Sequence, residues 1–216
     1  MTTLLNTAID AARAAGAIIR DGFGRAHTVT MKGAINPVTE VDHAAEAAIF
    51  QILRAATPGY ALLSEESGAI EGREARWIID PLDGTVNYSH GYPCFGVSIA
   101  LERAGEVELG VIYNPVLDEL FTAERSRGAR LNDRPIQVSP VARLGGSIVA
   151  TGFAYDVWET GGDLSRLAAL TRRAQTVRIF GAAVLDLAYI ACGRIEAYWD
   201  TGLNPWDIAA GRLLVE

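Results

Sequence analysis

The stretch Trp77-Ile-Ile-Asp80-Pro-Leu-Asp83-Gly-Thr85-Val-Asn87 constrains this chain more than any other. Its apolar run predicts a buried strand, and the run ends on an aspartate. Pro81 lacks an N–H and is expected to stop the strand's hydrogen-bond ladder, with a second aspartate three residues after the first. Two carboxylates at the end of a buried strand are costly unless a cation offsets them. Hard divalent ions such as Mg2+ take carboxylate and carbonyl oxygens of this kind. Gly84-Thr85 adds backbone N–H groups and a hydroxyl at a predicted helix start, which suits a phosphate. The pattern predicts a metal-and-phosphate site that the rest of the chain has to complete.

The chain has 216 residues, half of them hydrophobic and 21% charged, so it predicts a globular protein rather than a disordered one. Its net charge of −7 argues against nucleic acid or an anionic membrane surface as the main partner. An acidic protein that handles phosphate needs metal ions to offset repulsion, which agrees with the motif. Cys94 and Cys192 make neither a disulfide framework nor a metal-ligand spacing and read as reduced core thiols. Met1-Thr-Thr carries no charge, and Asn6, Asp10 and Arg13 interrupt the first apolar residues, which is not the pattern of a signal peptide. No apolar run approaches the roughly 20 residues that cross a bilayer. A soluble, cytoplasmic protein is expected.

Leu5, Ile9, Ala12, Ile19 and Phe23 predict an amphipathic helix from about Leu4 to Phe23. Thr28 to Pro37 reads as a loop around Lys32-Gly33, in which Lys32 either approaches a bound anion or is only solvated. Thr39 is placed to cap a helix running to about Ala56, with Asp42 in the first turn, where the dipole favours a negative charge. Tyr60-Ala-Leu-Leu63 is a short strand followed by Ser64-Glu65-Glu66-Ser67-Gly68. Those two glutamates suit an exposed turn or a second acid cluster; strand ends on one edge of a sheet converge, which favours the second. Gly68 to Arg76 reads as a loop or hairpin turn. His90 lies near the motif and reads as a surface or packing residue, and His27 and His43 fall in no metal-binding pattern.

Cys94–Glu102, Val107–Tyr113 and Glu119–Ala123 predict an antiparallel meander that Gly128–Ser139 continues. From about residue 144 the chain alternates: strand Ser147–Thr151, helix Asp163–Arg173, strand Val177–Phe180, helix Gly181–Cys192, strand Ile195–Trp199 and a helix from Trp206. Two subdomains are expected, an α+β part at 1–143 with the metal site and an α/β part at 144–216. Trp199-Asp200 through Trp206-Asp207 is a third acid cluster, where Asp207 serves equally well as a dipole partner in the first turn of its helix.

Ser64-Glu65-Glu66-Ser67, Asp80-Pro-Leu-Asp83-Gly-Thr85-Val-Asn87 and Trp206-Asp207-Ile-Ala-Ala-Gly211 together resemble the inositol monophosphatase family of metal-dependent phosphatases. Val38-Thr39-Glu40-Val41-Asp42, Gly128–Ser139 and Gly181–Gly193 match as well, so the resemblance spans nearly the whole chain in order. It implies a layered α-β-α-β-α sandwich of the sugar phosphatase type. It implies that Glu65, Asp80, Asp83 and Asp207, with the carbonyl of Leu82, hold two or three Mg2+ ions, with Mn2+ as a possible substitute. By the same resemblance Gly84 and Thr85 offer N–H groups to the phosphate, and Glu65 and Thr85, the latter linked to Asp42, orient and deprotonate the attacking water. Asp83, Asp200, Asp207 and the backbone near Ala183 would meet the substrate, with Glu66 behind them.

The implied reaction is direct in-line hydrolysis of a small polyol or sugar phosphate, with inositol monophosphate first in line. Fructose bisphosphate, histidinol phosphate and phosphoadenosine phosphate are alternative substrates within the fold. A non-catalytic regulatory protein that binds a phosphate ligand is the alternative of another class. The resemblance also implies lithium sensitivity and a homodimer. Two departures, Ala182 where the family often has serine or threonine and Asp200 where it often has glutamate, bear on the substrate alcohol rather than on the metal chemistry. Family members usually continue past the Trp-Asp motif, so the second subdomain is expected to be incomplete here.

Overall fold

Alternation along one strand organises the architecture. In β5 (Arg76–Asp83), Trp77 and Ile79 point to one face of a sheet and Ile78 to the other, and all three are buried. Both faces are therefore covered. The structure is a computed structural model that describes residues 3–25, 27–32, 35–154, 156–161 and 164–216, with Trp158 described by its backbone alone.

In chain order the elements begin with helix α1 (Thr3–Gly22), strands β1 (Val29–Met31) and β2 (Pro37–Thr39), helix α2 (Glu40–Ala56), and strands β3 (Ala61–Ser64) and β4 (Gly68–Ile70). After β5 come the short helix α3 (Thr85–Ser89), then β6 (Gly96–Arg103), β7 (Glu106–Asn114), β8 (Glu119–Glu124), β9 (Gly128–Leu131) and β10 (Arg134–Pro135). The last third holds β11 (Ile148–Thr151), α4 (Val157–Thr160), α5 (Leu164–Thr171), β12 (Thr176–Arg178), α6 (Ala183–Ala191), β13 (Ala197–Trp199) and α7 (Pro205–Val215). The large sheet has eight strands in the order β10-β9-β8-β7-β6-β5-β3-β4, antiparallel except for the parallel pair β3–β5. The small sheet, β12-β11-β13, is wholly parallel.

One core joins α1 and α2 to the face of the large sheet that carries Trp77, Ile79, Val97, Ile99 and Val111. Leu5, Ala8, Ala12, Ala15 and Ile19 line α1, and Ala45, Ile49 and Leu53 line α2, each at helical spacing. A second core joins the other face, through Ile78, Ala100, Ile112 and Phe121, to Val184, Leu185 and Ala188 of α6 and Ala210 and Leu213 of α7. Helix α6 also meets β13 of the small sheet. The layers are thus helices, large sheet, helices and small sheet, with α5 against β12 beyond. Residues 140–146 lie between β10 of the large sheet and β11 of the small one, and α6 and α7 beyond them pack on the large sheet.

Some local expectations differ from the structure. Pro81 does not end β5: pairing with β6 shifts register between Asp80 and Asp83 and then resumes, because proline removes one ladder donor without bending the chain out of the sheet. Thr28–Pro37 contains a hairpin where a loop is predicted, with β1 paired to β2 and the Lys32 N–H donating to Asn36 O at 2.8 Å; Gly33 lies outside the described residues. Gly68–Ile70 forms an edge strand on β3. Asp163 and Met1-Thr2 also lie outside the described residues, and α5 begins at Leu164. Among the described residues no helix is long and apolar enough to cross a membrane.

Candidate active site

The parallel pairing of β3 and β5 sets Ser64 against Ile79, so Glu65 leaves its strand beside Asp80, and its N–H donates to Ile79 O at 3.3 Å. Asp80 is 1% exposed. Its Oδ1 accepts the Leu82 N–H at 3.1 Å, and its Oδ2 is buried without a partner among the described residues. Burial first, then the charges of Glu65, Asp83 and Asp207, push its carboxyl well above the ordinary range. Asp83 is shifted the same way by burial, then by Asp207 and Glu65, although its Oδ2 accepts the Val184 N–H of α6 at 2.8 Å.

Gly84 follows in the left-handed region at φ 90°, and a Cβ there would lie 2.8 Å from Cys94 O. Both the conformation and the crowding call for glycine. The turn lets α3 start at Thr85, whose hydroxyl lies 2.9 Å from Asp42 Oδ1 and 3.0 Å from Leu82 O. Asp42 is 1% exposed and belongs to α2, where it completes a capping box with Thr39: its Oδ2 accepts from the Thr39 N–H at 2.8 Å and the Thr39 hydroxyl at 2.5 Å. Burial raises its pKa, against the pull of those hydrogen bonds. The cap and the link to Thr85 are the work of one carboxylate.

The Glu65-Glu66 turn is held from two sides. Lys32 Nζ donates to Glu65 Oε1 at 3.1 Å and to Glu66 Oε1 at 2.5 Å. On the other side Glu46 of α2 accepts from Ser67, through the N–H at 3.0 Å and through the hydroxyl.

The remaining edge comes from α6, α7 and the small sheet. Asp207 closes a capping box with Asn204, its Oδ2 accepting the Asn204 N–H at 2.6 Å. Burial, with the charges of Glu65 and Asp200, still raises it to about 6. Asp200 follows β13 and accepts from the Tyr198 hydroxyl and the Thr201 N–H, each at 2.6 Å. Gly152, at the end of neighbouring β11, makes room for it, since a Cβ there would lie 2.2 Å from Asp200 Oδ2. Ala183 opens α6, and Asp186, one turn further on, is 1% exposed, its Oδ1 without a partner among the described residues. Burial and Asp200 push Asp186 up to about 8.

The structure therefore brings Glu65, Asp80, Asp83 and Asp207 within range of one another's charge, and joins Leu82, Thr85 and Asp42 by hydrogen bonds. Among the described residues no three of His, Cys, Asp and Glu are gathered in a geometry that could hold a metal ion. The donor set nonetheless fits hard cations: it is all oxygen, its acids repel, and Asp80 Oδ2 is a buried acceptor with no donor. His90 is exposed, in keeping with a surface role. Sequence reasoning assigns no role to Glu46 or Asp186, and none to Asn87 beyond its place in the motif. The Asn87 Nδ2 lies within hydrogen-bond range of Cys94 O, Phe180 O and Gly181 O, clamping α3 to the approach of α6. A charged residue on the buried face of α2 is the one signal that points to Glu46.

The chain is similar to known proteins over nearly its whole length. The chain is 45% identical over 219 residues to an inositol-1-monophosphatase of Mesorhizobium japonicum, covering 99% of this chain and 82% of that one. It is 41% identical over 220 residues to the Escherichia coli K12 protein named Nus factor SuhB, covering 100% and 82%. Among solved structures, the extragenic suppressor protein suhB of Bartonella henselae superposes with a TM-score of 0.95 at 43% identity, over 99% of this chain and 84% of that one. The inositol monophosphatase of Anabaena superposes at 0.90 with 44% identity, over 99% and 80%. Residues 1–216 match the model of the inositol monophosphatase family, and the chain belongs to that family.

Proposed function

We propose that this member of a phosphatase family is a Mg2+-dependent phosphomonoesterase for a small polyol or sugar phosphate, with inositol monophosphate as its substrate. The observation that carries the reading is the meeting of four repelling carboxylates with a buried hydroxyl–carboxylate pair, Thr85–Asp42. Glu65, Asp80, Asp83, Asp207 and the Leu82 carbonyl would hold two or three ions. Mg2+ bound there supplies an acidified water and neutralises charge on the phosphoryl oxygens.

The chain's own groups do the rest in this reading. Gly84 and Thr85 present N–H groups to the phosphate. Thr85 Oγ1 takes a proton from the attacking water as its own proton passes to Asp42, whose raised pKa suits it to receive one. Glu65 orients that water. Asp83, Asp200, Asp207 and the backbone at Ala183 face the alcohol, which leaves without forming a phosphoenzyme. Lithium inhibition and a homodimer belong to the same reading.

The test is phosphate release from inositol monophosphate, fructose bisphosphate, histidinol phosphate and phosphoadenosine phosphate, with and without Mg2+. Inositol monophosphate should be hydrolysed fastest, only with the metal, and Asp83→Asn should lower the rate on the order of a thousandfold while the protein stays folded. Near-normal turnover by that variant would refute the ligand assignment. A second reading has one observation in its favour, the name Nus factor carried by relatives 41–44% identical. It is a protein that binds a phosphate ligand or partner without turnover, and it predicts no phosphate release from any ester.

A further inference from the structure

Helix α2 reaches the site twice. Asp42 in its first turn holds Thr85, and Glu46, four residues on and on the same face, holds Ser67. The two carboxylates are spaced by about 6 Å along the helix axis. Glu46 is 5% exposed amid Ala45, Ile49 and Phe50. Packing α2 on the sheet needs no charge at that position, and a buried carboxylate is tolerated only where hydrogen bonds compensate it. Both Glu46 oxygens bond one residue, Ser67, the last of the turn Ser64-Glu65-Glu66-Ser67. The β3–β4 pairing of Ser64 with Gly68 closes the ends of the turn, but within it the other restraints are softer: the Glu65 N–H bond to Ile79 O is long at 3.3 Å, and Lys32 grips Glu65 and Glu66 through a flexible ammonium.

We propose that Glu46 is a positioning residue: through Ser67 it fixes the turn that presents Glu65, and together with Asp42 it makes α2 the spacer that sets Glu65 against Thr85. The inference rests on the proposed function only for what Glu65 does there. The restraint itself is independent of it.

The test compares Glu46→Ala, Glu46→Gln, Ser67→Ala and the Glu46→Ala/Ser67→Ala pair by amide hydrogen exchange across 64–68, Mn2+ affinity, kcat and KM. Glu46→Ala should speed exchange in 64–68 while leaving the interior of α2 protected. It should also raise the Mn2+ Kd and lower kcat by about 10- to 100-fold, the usual cost of losing a group that orients a metal ligand. Glu46→Gln should recover most of both, because its amide can accept from one Ser67 donor and donate to the hydroxyl. The pair should be no worse than Glu46→Ala alone.

Unchanged exchange across 64–68 in Glu46→Ala overturns the proposal whatever the metal does. Faster exchange with wild-type Mn2+ affinity and kcat also overturns it, leaving a purely structural anchor. Should Glu46→Ala not fold, Glu46→Gln and Ser67→Ala carry the same comparison. If the wild-type protein binds no Mn2+ and releases no phosphate, the proposed function falls, and exchange alone decides whether Glu46 holds the turn.

Discussion

On the α2 side of the site, Asp42 and Glu46 have a donor for each carboxylate oxygen. Where β5 meets α6 and α7, Asp80 and Asp186 each leave one buried oxygen without a donor among the described residues, and Asp83 and Asp207 repel each other. Both sides are acidic, and hydrogen bonds hold acids on both, but only on the first does each oxygen of the two named carboxylates have a donor. The difference teaches that one edge holds a geometry by itself, whereas the other, in the proposed function, is where a positive charge is received. A preorganised hydroxyl–carboxylate pair suits proton transfer, which fails if its partner wanders. Crowded carboxyls raise one another's pKa and suit a cation that ends the repulsion.

The largest effect that would break this contrast concerns the organised edge. Thr85→Ala should lower kcat by about a hundredfold or more, with Thr85→Ser recovering most of it, since a positioned general base contributes on that scale. Steady-state kinetics checks this, and equal losses in both variants would remove the hydroxyl from the proton path. For the crowded edge the expected effect is on stability. Carboxyls whose folded pKa is raised stabilise the fold fully below the unfolded value, and that contribution is lost as pH rises through the folded value. For Asp207 the loss runs up through about 6, and for Asp186 up through about 8. The melting temperature of the metal-free protein should therefore fall from about pH 5 to about pH 9, and Mg2+ should restore it most at the alkaline end. A flat or rising profile would mean the acids do not feel one another.

The smallest effect sharpens the boundary between the edges. Lys32 bridges Glu65 and Glu66 near the surface. Lys32→Met should destabilise the metal-free protein by no more than about 1 kcal/mol, as part-exposed ion pairs do. Chemical denaturation measures it, and a much larger loss would make Lys32, rather than Glu46, the main holder of that turn.

Local chemistry made much of this legible. Thr39 with Asp42, and Pro205 with Asp207, are helix starts that any chain with those residues would favour. The β5 motif announces a strand end with two acids whatever surrounds it. Where the sequence predicts a break at Pro81 or a loop after Thr28, neighbouring strands supplied the pairing that local signals lack. Glu46 and Ser67 are 21 residues apart, and Asn87 lies more than 90 residues from Phe180 and Gly181, so no spacing rule links them.

By itself, then, the sequence determined the secondary elements with strong periodicity and the acid clusters, because those depend on residues close along the chain. Only the tertiary structure decided that α6 and α7 cover the large sheet, that β3 and β5 run parallel and set Glu65 beside Asp80, and which acids are satisfied and which repel. Those outcomes depend on which buried surfaces meet, a choice made among all segments at once.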